Sequence, residues 1–153
     1  MKFKSLILLA LAVCPLSSIQ AATGIFGSYI NVTSSNHGGT TVWYDLTPPG
    51  GGRASDPADF NGFSFGSFDP SMAGTLNLTG VETLTFKNGG GDVTGVQFNY
   101  RIYLQSGAGG AYTTQNVGWT ANATFADAAG TSYSGGGDQK WADTTAWQPV
   151  NLL

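Results

Sequence analysis

Apolar and polar side chains alternate with a period of two along most of this chain. In its clearest stretch, Val96, Phe98, Tyr100, Ile102 and Leu104 fall on one face, and Gln97, Asn99, Arg101, Tyr103 and Gln105 fall on the other. A helix would scatter both sets around its axis, whereas a half-buried strand separates them. The pattern predicts a strand here with the first set facing the interior. The same alternation recurs at Val42, Tyr44 and Leu46, at Leu76 and Leu78, and at Leu84 and Phe86. It appears again through Val117, Trp119, Ala121, Ala123 and Phe125. Trp119 shares the parity of its apolar neighbours and is expected in the core. Phe63 and Phe65 open a further short strand, with a bulge at Gly66-Ser67 where Phe68 breaks parity. A first strand is expected within Ile25 to Val32.

Turn signals separate these runs. Asn36-His37-Gly38-Gly39 and Asn88-Gly89-Gly90-Gly91-Asp92 supply the residues that accept positive φ in tight hairpins. Pro48-Pro49-Gly50-Gly51-Gly52 opens a longer loop, and glycines punctuate 106–110 and 135–137. The Gly-Gly-Gly-Asp string occurs twice, but the sequences after it differ, so it reads as reused turn chemistry and not as an internal repeat. Many short strands with such turns predict an all-β fold, an antiparallel β-sandwich of jelly-roll-like or immunoglobulin-like type.

The N-terminus alters how the rest is read. Met1-Lys2-Phe3-Lys4 followed by an apolar run from Leu6 to Val13 has the layout of a secretory signal. Ile19-Gln20-Ala21 provides acceptable residues for cleavage after Ala21, with Ala22 a near alternative. The apolar run is far short of the ~20 residues that cross a bilayer. Cys14 offers a lipoprotein reading, but Val13 stands where a small residue is wanted before a lipidated cysteine. The expected organisation is a signal at 1–21 and one β-sandwich domain at 22–153. Cleavage leaves 132 residues, enough for a single core.

Removing the signal removes the only cysteine, Cys14, and both Lys2 and Lys4. Four basic residues then face nine acids, a net charge of −5. No basic stripe remains for phosphates, which disfavours nucleic acid as a partner. With 41% apolar and 12% aromatic residues, the 23 glycines do not signal disorder. An exported domain without disulfides must rest on its core, on neighbours or on ions.

The sequence offers little for catalysis. His37 is the single histidine and lies in a glycine-flanked turn. Thiol chemistry has no residue after cleavage, and no Gly-x-Ser-x-Gly elbow is present. Glu82 is the single glutamate, and the aspartates fall mostly in loops where they cap turns. Asp56, Asp59 and Asp69 flank the long loop, and Asp92 and Asp138 sit in glycine turns. No calcium-loop spacing joins them, so turn capping is the preferred reading and no metal or other cofactor is expected. Asn31, Asn77 and Asn122 each begin an Asn-x-Thr acceptor sequence.

The tryptophans carry the sharper alternative. Trp43 falls on the polar side of its strand, and Trp141 follows Asp138-Gln139-Lys140. An exposed indole can stack on a sugar ring while Asp138, Gln139 or Lys140 bonds its hydroxyls. The plainer reading is that Trp43, Trp141 and Trp147 pack on a neighbouring module or cover a sheet edge.

An ordered series of strings then becomes informative: Thr85-Phe86-Lys87-Asn88, Gly90-Gly91-Asp92, Tyr100-Arg101-Ile102-Tyr103 and Gly136-Gly137-Asp138-Gln139-Lys140-Trp141. Over about residues 62–153 the chain resembles a β-sandwich module of large, secreted, multidomain bacterial surface proteins. That likeness implies surface attachment, scaffolding or display, and brings no catalytic residues. It also implies that the module continues past Leu153 through a Gly-containing turn to a strand of the form Gly-x-Tyr-x-Leu-x-Val. The chain is therefore expected to be the front part of a longer protein, and reading the gene past codon 153 tests this. The functional expectation is a non-catalytic, exported structural or adhesive surface module. The alternative is a carbohydrate-binding module using Trp43 and Trp141. Its partners would be surface glycans or neighbouring modules of the same polypeptide.

Overall fold

The computed structural model describes residues 22–47, 56–69, 71–88, 91–103, 108–143 and 147–153. The signal expected at 1–21, Leu104 and Gln105, and most of the loop opened by Pro48 lie outside these residues. The described chain forms ten strands: β1 (Ala22–Ser34), β2 (Thr41–Asp45), β3 (Leu76–Asn88), β4 (Val96–Tyr100), β5 (Thr113–Val117), β6 (Trp119–Asn122), β7 (Phe125–Ala126), β8 (Ser132–Tyr133), β9 (Gln139–Asp143) and β10 (Val150–Asn151). Every strand pairing is antiparallel. The all-β, antiparallel class read from the alternation is the observed one.

The main sheet runs β2-β1-β3-β9-β6, with β10 added to β3. β3 is its axis. On one side β1 follows it from Ala22 opposite Asn88 to Ser34 opposite Leu76. On the other side two strands share its length, β9 against Val81–Thr85 and β10 against Asn77 and Leu78. The β1–β2 link is the turn that Asn36-His37-Gly38-Gly39 announced. Ser35–His37 makes one 3-10 turn, and Gly38 and Gly39 take φ of 72° and 71°, which only glycine adopts without strain.

Two small hairpins cover the two faces of β3. β4–β5 lies over the face that carries Val81 and, through Thr83, Trp141. Val96, Phe98 and Val117 from this hairpin join Ile30, Val32, Tyr44, Leu78, Val81, Trp141 and Trp147 in one core. β7–β8 lies over the opposite face, where Phe26 meets Tyr133 at 5.4 Å and Phe86 at 6.3 Å. Residues 81–85 are consequently buried on both sides, a pattern unusual in an antiparallel strand open to water on one face. A register shift near Asn31 and Val32 leaves Thr79 outside the ladder. The Thr79 hydroxyl donates to Asn31 Oδ1 at 2.7 Å. This bulge brings Leu78 and Val81, of opposite parity, into the same core.

Three expectations are corrected. The strand beginning at Val96 leaves its ladder after Tyr100, and Ile102 is 53% exposed, not interior. Val96, Phe98 and Tyr100 keep the expected inward parity, each half-buried between exposed Gln97 and Asn99. Trp119 is 59% exposed, not core. Gly118 separates β5 from β6, and its carbonyl accepts from Ala142 N at 2.9 Å, so the chain changes sheets there and parity does not carry across. Phe63 and Phe65 form no strand. Asn36 Nδ2 donates to the carbonyls of Phe65 and Ser67, both at 3.0 Å, and Gly66 between them takes φ of 80°. This pins the segment as a loop whose rings pack on Tyr44 and His37.

Trp147 and Trp119 offer opposite tests of this arrangement. Trp147 is buried, with its Nε1 donating to Leu78 O at 3.2 Å. In urea denaturation, Trp147→Ala is expected to cost ~3–5 kcal/mol. Trp119→Ala is expected to stay within about 0.5 kcal/mol of the parent.

Candidate functional site

The five residues singled out as sugar contacts do not form one surface. Trp141 is 5% exposed, and its indole N–H donates to Thr85 Oγ1 at 3.1 Å. Its ring belongs to the core and reaches solvent only at the floor of a cleft, which leaves too little of it to stack on a sugar. Gln139 is buried beside it. Its Oε1 accepts from Val93 N at 2.9 Å, and its Nε2 donates to Val93 O at 3.2 Å. Gln139 thereby fastens the segment before β4 to β9. Trp43 is half-buried opposite Asn31, on the face of the sheet that carries Tyr29 and Asp45. That face is opposite to the one holding Trp141. Asp138 is half-buried, and its carbonyl accepts from Ala123 N at 2.9 Å. The polar run before Trp141 does not mark an exposed indole, because the β4–β5 hairpin covers this face of β9.

Lys140 serves a buried carboxylate. Its Nζ lies 2.8 Å from Glu82 Oε2 and donates to Ala126 O at 2.7 Å. Glu82 Oε1 accepts from Ala128 N at 2.8 Å. The turn that follows β7 is built around Asp127. Asp127 Oδ1 accepts from Ala129 N at 3.0 Å and Thr131 N at 2.8 Å, and Oδ2 from the Tyr133 hydroxyl at 2.9 Å. Glu82 and Lys140 dock this turn onto the sheet. Burial pushes the Glu82 carboxyl above its usual range, with the nearby Asp127 charge adding, while Lys140 and the Ala128 N–H pull the other way.

Of the loop aspartates, Asp69 caps its own turn, whereas Asp56 accepts from the Tyr29 hydroxyl at 3.0 Å. Asp69 Oδ1 accepts from Ser71 Oγ at 2.7 Å and Ser71 N at 2.8 Å, which holds its carboxyl below the usual range. Asp92 pairs with Lys87 at 2.8 Å. Among the described residues no three His, Cys, Asp or Glu side chains gather as metal ligands would. Asn31, one of the three glycosylation acceptors, is buried and occupied by Thr79.

The exposed chemistry gathers elsewhere, on the outward face of the β4–β5 hairpin. Gln97 Nε2 donates to Asn116 Oδ1 at 3.1 Å, and Thr114 Oγ1 donates to Asn99 Oδ1 at 2.6 Å. Beyond these rungs the Arg101 guanidinium sits between two rings, 4.8 Å from the centre of Tyr112 and 5.0 Å from that of Tyr103. Tyr112 is 60% exposed and Tyr103 52%. Arg101 lies flat over Gly109, where an added Cβ would run into the guanidinium. No carboxylate pairs with Arg101 among the described residues. At the other end of the hairpin a cleft of about 640 Å³ opens beside Thr94, Gly95, Gln97 and Asn116, above Val96, Val117 and Trp141. Arg101 and Tyr103 are exposed, as is Ile102 between them, because the strand ends at Tyr100. Their partner Tyr112 was missed because residues 113–117 carry almost no apolar alternation.

The chain matches no known protein family, curated protein or solved structure. The likeness to secreted surface modules therefore stays with the short strings that suggested it.

The Glu82 cluster predicts a pH dependence. A carboxyl with a raised folded-state pKa contributes stability below its unfolded value, and that contribution is lost as pH rises through the folded value. Glu82→Gln cannot lose a proton. The unfolding free energy of the parent relative to Glu82→Gln should therefore fall as pH rises above about 4.5, the ordinary glutamate value. Unfolding curves for both proteins at a series of pH values measure it. A difference that does not change with pH would refute the assignment.

Proposed function

We propose that the chain is an exported, non-catalytic module that attaches a bacterial surface to its surroundings. The observation that carries this reading is the exposed Tyr103–Arg101–Tyr112 stack. Tyrosine and arginine are the side chains that dominate binding hot spots. Here they stand in water with Ile102, 53% exposed, beside them. Contiguous exposure of that kind on a small domain marks contact surface.

Three further observations support the reading. The buried carboxylates Glu82 and Asp127 are engaged inside the fold, Glu82 beneath Lys140 and Asp127 within its own turn. The signal-like N-terminus supports export. The resemblance of its ordered strings to secreted surface modules supports a structural or adhesive role.

Fractionation of a bacterial host should recover the chain outside the cytoplasm. The exported chain is expected to be retained on intact cells or matrix, and the double variant Tyr103→Ala/Tyr112→Ala to lose most of that retention. A screen of ester, peptide and glycoside substrates should show no turnover above buffer. Robust turnover abolished by one Asp→Asn or Glu→Gln change would overturn the non-catalytic reading.

A further inference from the structure

The outward face of the β4–β5 hairpin is more than an aromatic patch. In the β4–β5 register Gln97 stands opposite Asn116 and Asn99 opposite Thr114. Just past the end of this ladder Arg101 stacks on Tyr112 and Tyr103, 4.8 and 5.0 Å from their ring centres. Every one of these side chains is exposed. We propose that this row is a binding platform for a neutral, extended glycan. The proposal rests on the attachment reading and names the partner that the attachment would use.

The chemistry of the row selects the partner. Carboxamides both donate and accept, which is what neighbouring sugar hydroxyls require. Once the two rungs are made, Gln97 Oε1 remains as an acceptor, and the NH₂ groups of Asn99 and Asn116 remain as donors toward solvent. Each rung holds the rotamers of its own members, so less side-chain freedom is lost when a ligand arrives. The tyrosine rings add apolar faces for the C–H surface of a sugar, and Arg101, stacked on both, fixes their spacing. Gln97 and Asn99 span about 7 Å at the rise of a strand, and the Arg101 stack lies beyond them, so the row is longer than a single sugar ring needs. The cleft beside Thr94 and Gly95 continues it in the other direction.

Charge selects further. The row carries no carboxylate, although the chain has nine acids and six basic residues. A cationic partner would find no counter-charge on it. A polyanion would meet the negative field of the whole protein with Arg101 alone to offset it. A neutral chain of hydroxyls meets neither obstacle.

Affinity electrophoresis of the exported chain tests the proposal, using gels that contain mannan, xylan, galactan or a soluble β-glucan, with alginate as the anionic comparison. At least one neutral polysaccharide should retard the protein. Tyr112→Ala and the double variant Asn99→Ala/Asn116→Ala should each weaken that affinity about tenfold. Trp43→Ala, on the opposite face of the main sheet, should leave it unchanged. Far-ultraviolet circular dichroism matching the parent shows that each variant is folded. Retardation by alginate alone, by none of the four neutral polymers, or at full strength in the Tyr112→Ala and amide variants would overturn the proposal. Loss of polysaccharide binding with cell retention intact would refute the glycan platform and leave the attachment reading standing. Loss of both in the parent protein would remove both.

Discussion

The rest of the fold depends on β3 being covered on both faces. Val81, Glu82, Thr83, Leu84 and Thr85 are all buried, so neither face of the strand is left to water. An antiparallel sheet commonly leaves one face solvated, and that solution is closed to this chain once Leu84 and Val81 both need burial. The sheet is therefore served by two separate hairpins. β4–β5 brings Val96, Phe98 and Val117 to one side, and β7–β8 brings Phe125 and Tyr133 to the other. Each hairpin has two strands and would be marginal alone. Their order comes from docking on β3, as the cover of β3 comes from them.

The second face illustrates the cost of that arrangement. Glu82 points into it, and an uncompensated carboxylate there would be expensive. Lys140, reaching across from the neighbouring strand, and the Ala128 N–H supply the compensation. Both partners belong to segments that must be held in place, β9 and the turn after β7. The ion pair is better understood as a positional device than as a net source of stability, because desolvation offsets much of its Coulomb energy. The raised carboxyl pKa is the same statement in another form: burial outweighs the stabilising partners.

The sequence alone was most informative where a strand has one wet face, and least where tertiary cover intervenes. Period-two alternation found β4 with its correct inward set at Val96, Phe98 and Tyr100, and the Asn36-His37-Gly38-Gly39 turn lies where its residues put it. Two tryptophans lie where the sequence does not put them. Trp141 looked available because Gln139 and Lys140 flank it, yet those polar groups are spent internally on Val93 and Glu82. Trp119 looked buried because parity was carried through Gly118, where the chain passes from one sheet to another. Trp43 was rightly read as lying off the apolar face of its strand. Alternation reports which side of a strand a residue faces; it does not report what later covers that side. Residues 113–117 show the converse limit. Thr113, Thr114, Gln115 and Asn116 give almost no apolar signal, yet they form β5 by pairing with β4. A strand specified by its partner leaves little trace in its own composition.

That last case bears on why the exposed chemistry lies on the hairpin and not on the main sheet. A strand that contributes only Val117 and half-buried Gln115 to the interior is free in the rest of its sequence. Its outward positions face neither β3 nor the turn clamped by Glu82 and Lys140, so changes there leave the core untouched. The main sheet has no such freedom along β3, where consecutive side chains are committed to packing or to internal hydrogen bonds. Threonine and asparagine at 114 and 116 are poor choices for stabilising a strand by burial. They are good choices for a surface whose hydrogen bonds are offered outward. The weak apolar pattern of β5 and the rungs it forms with Gln97 and Asn99 thus have a common physical origin. The hairpin is anchored through one face, and the residues of the other are left available for contact with something outside the molecule.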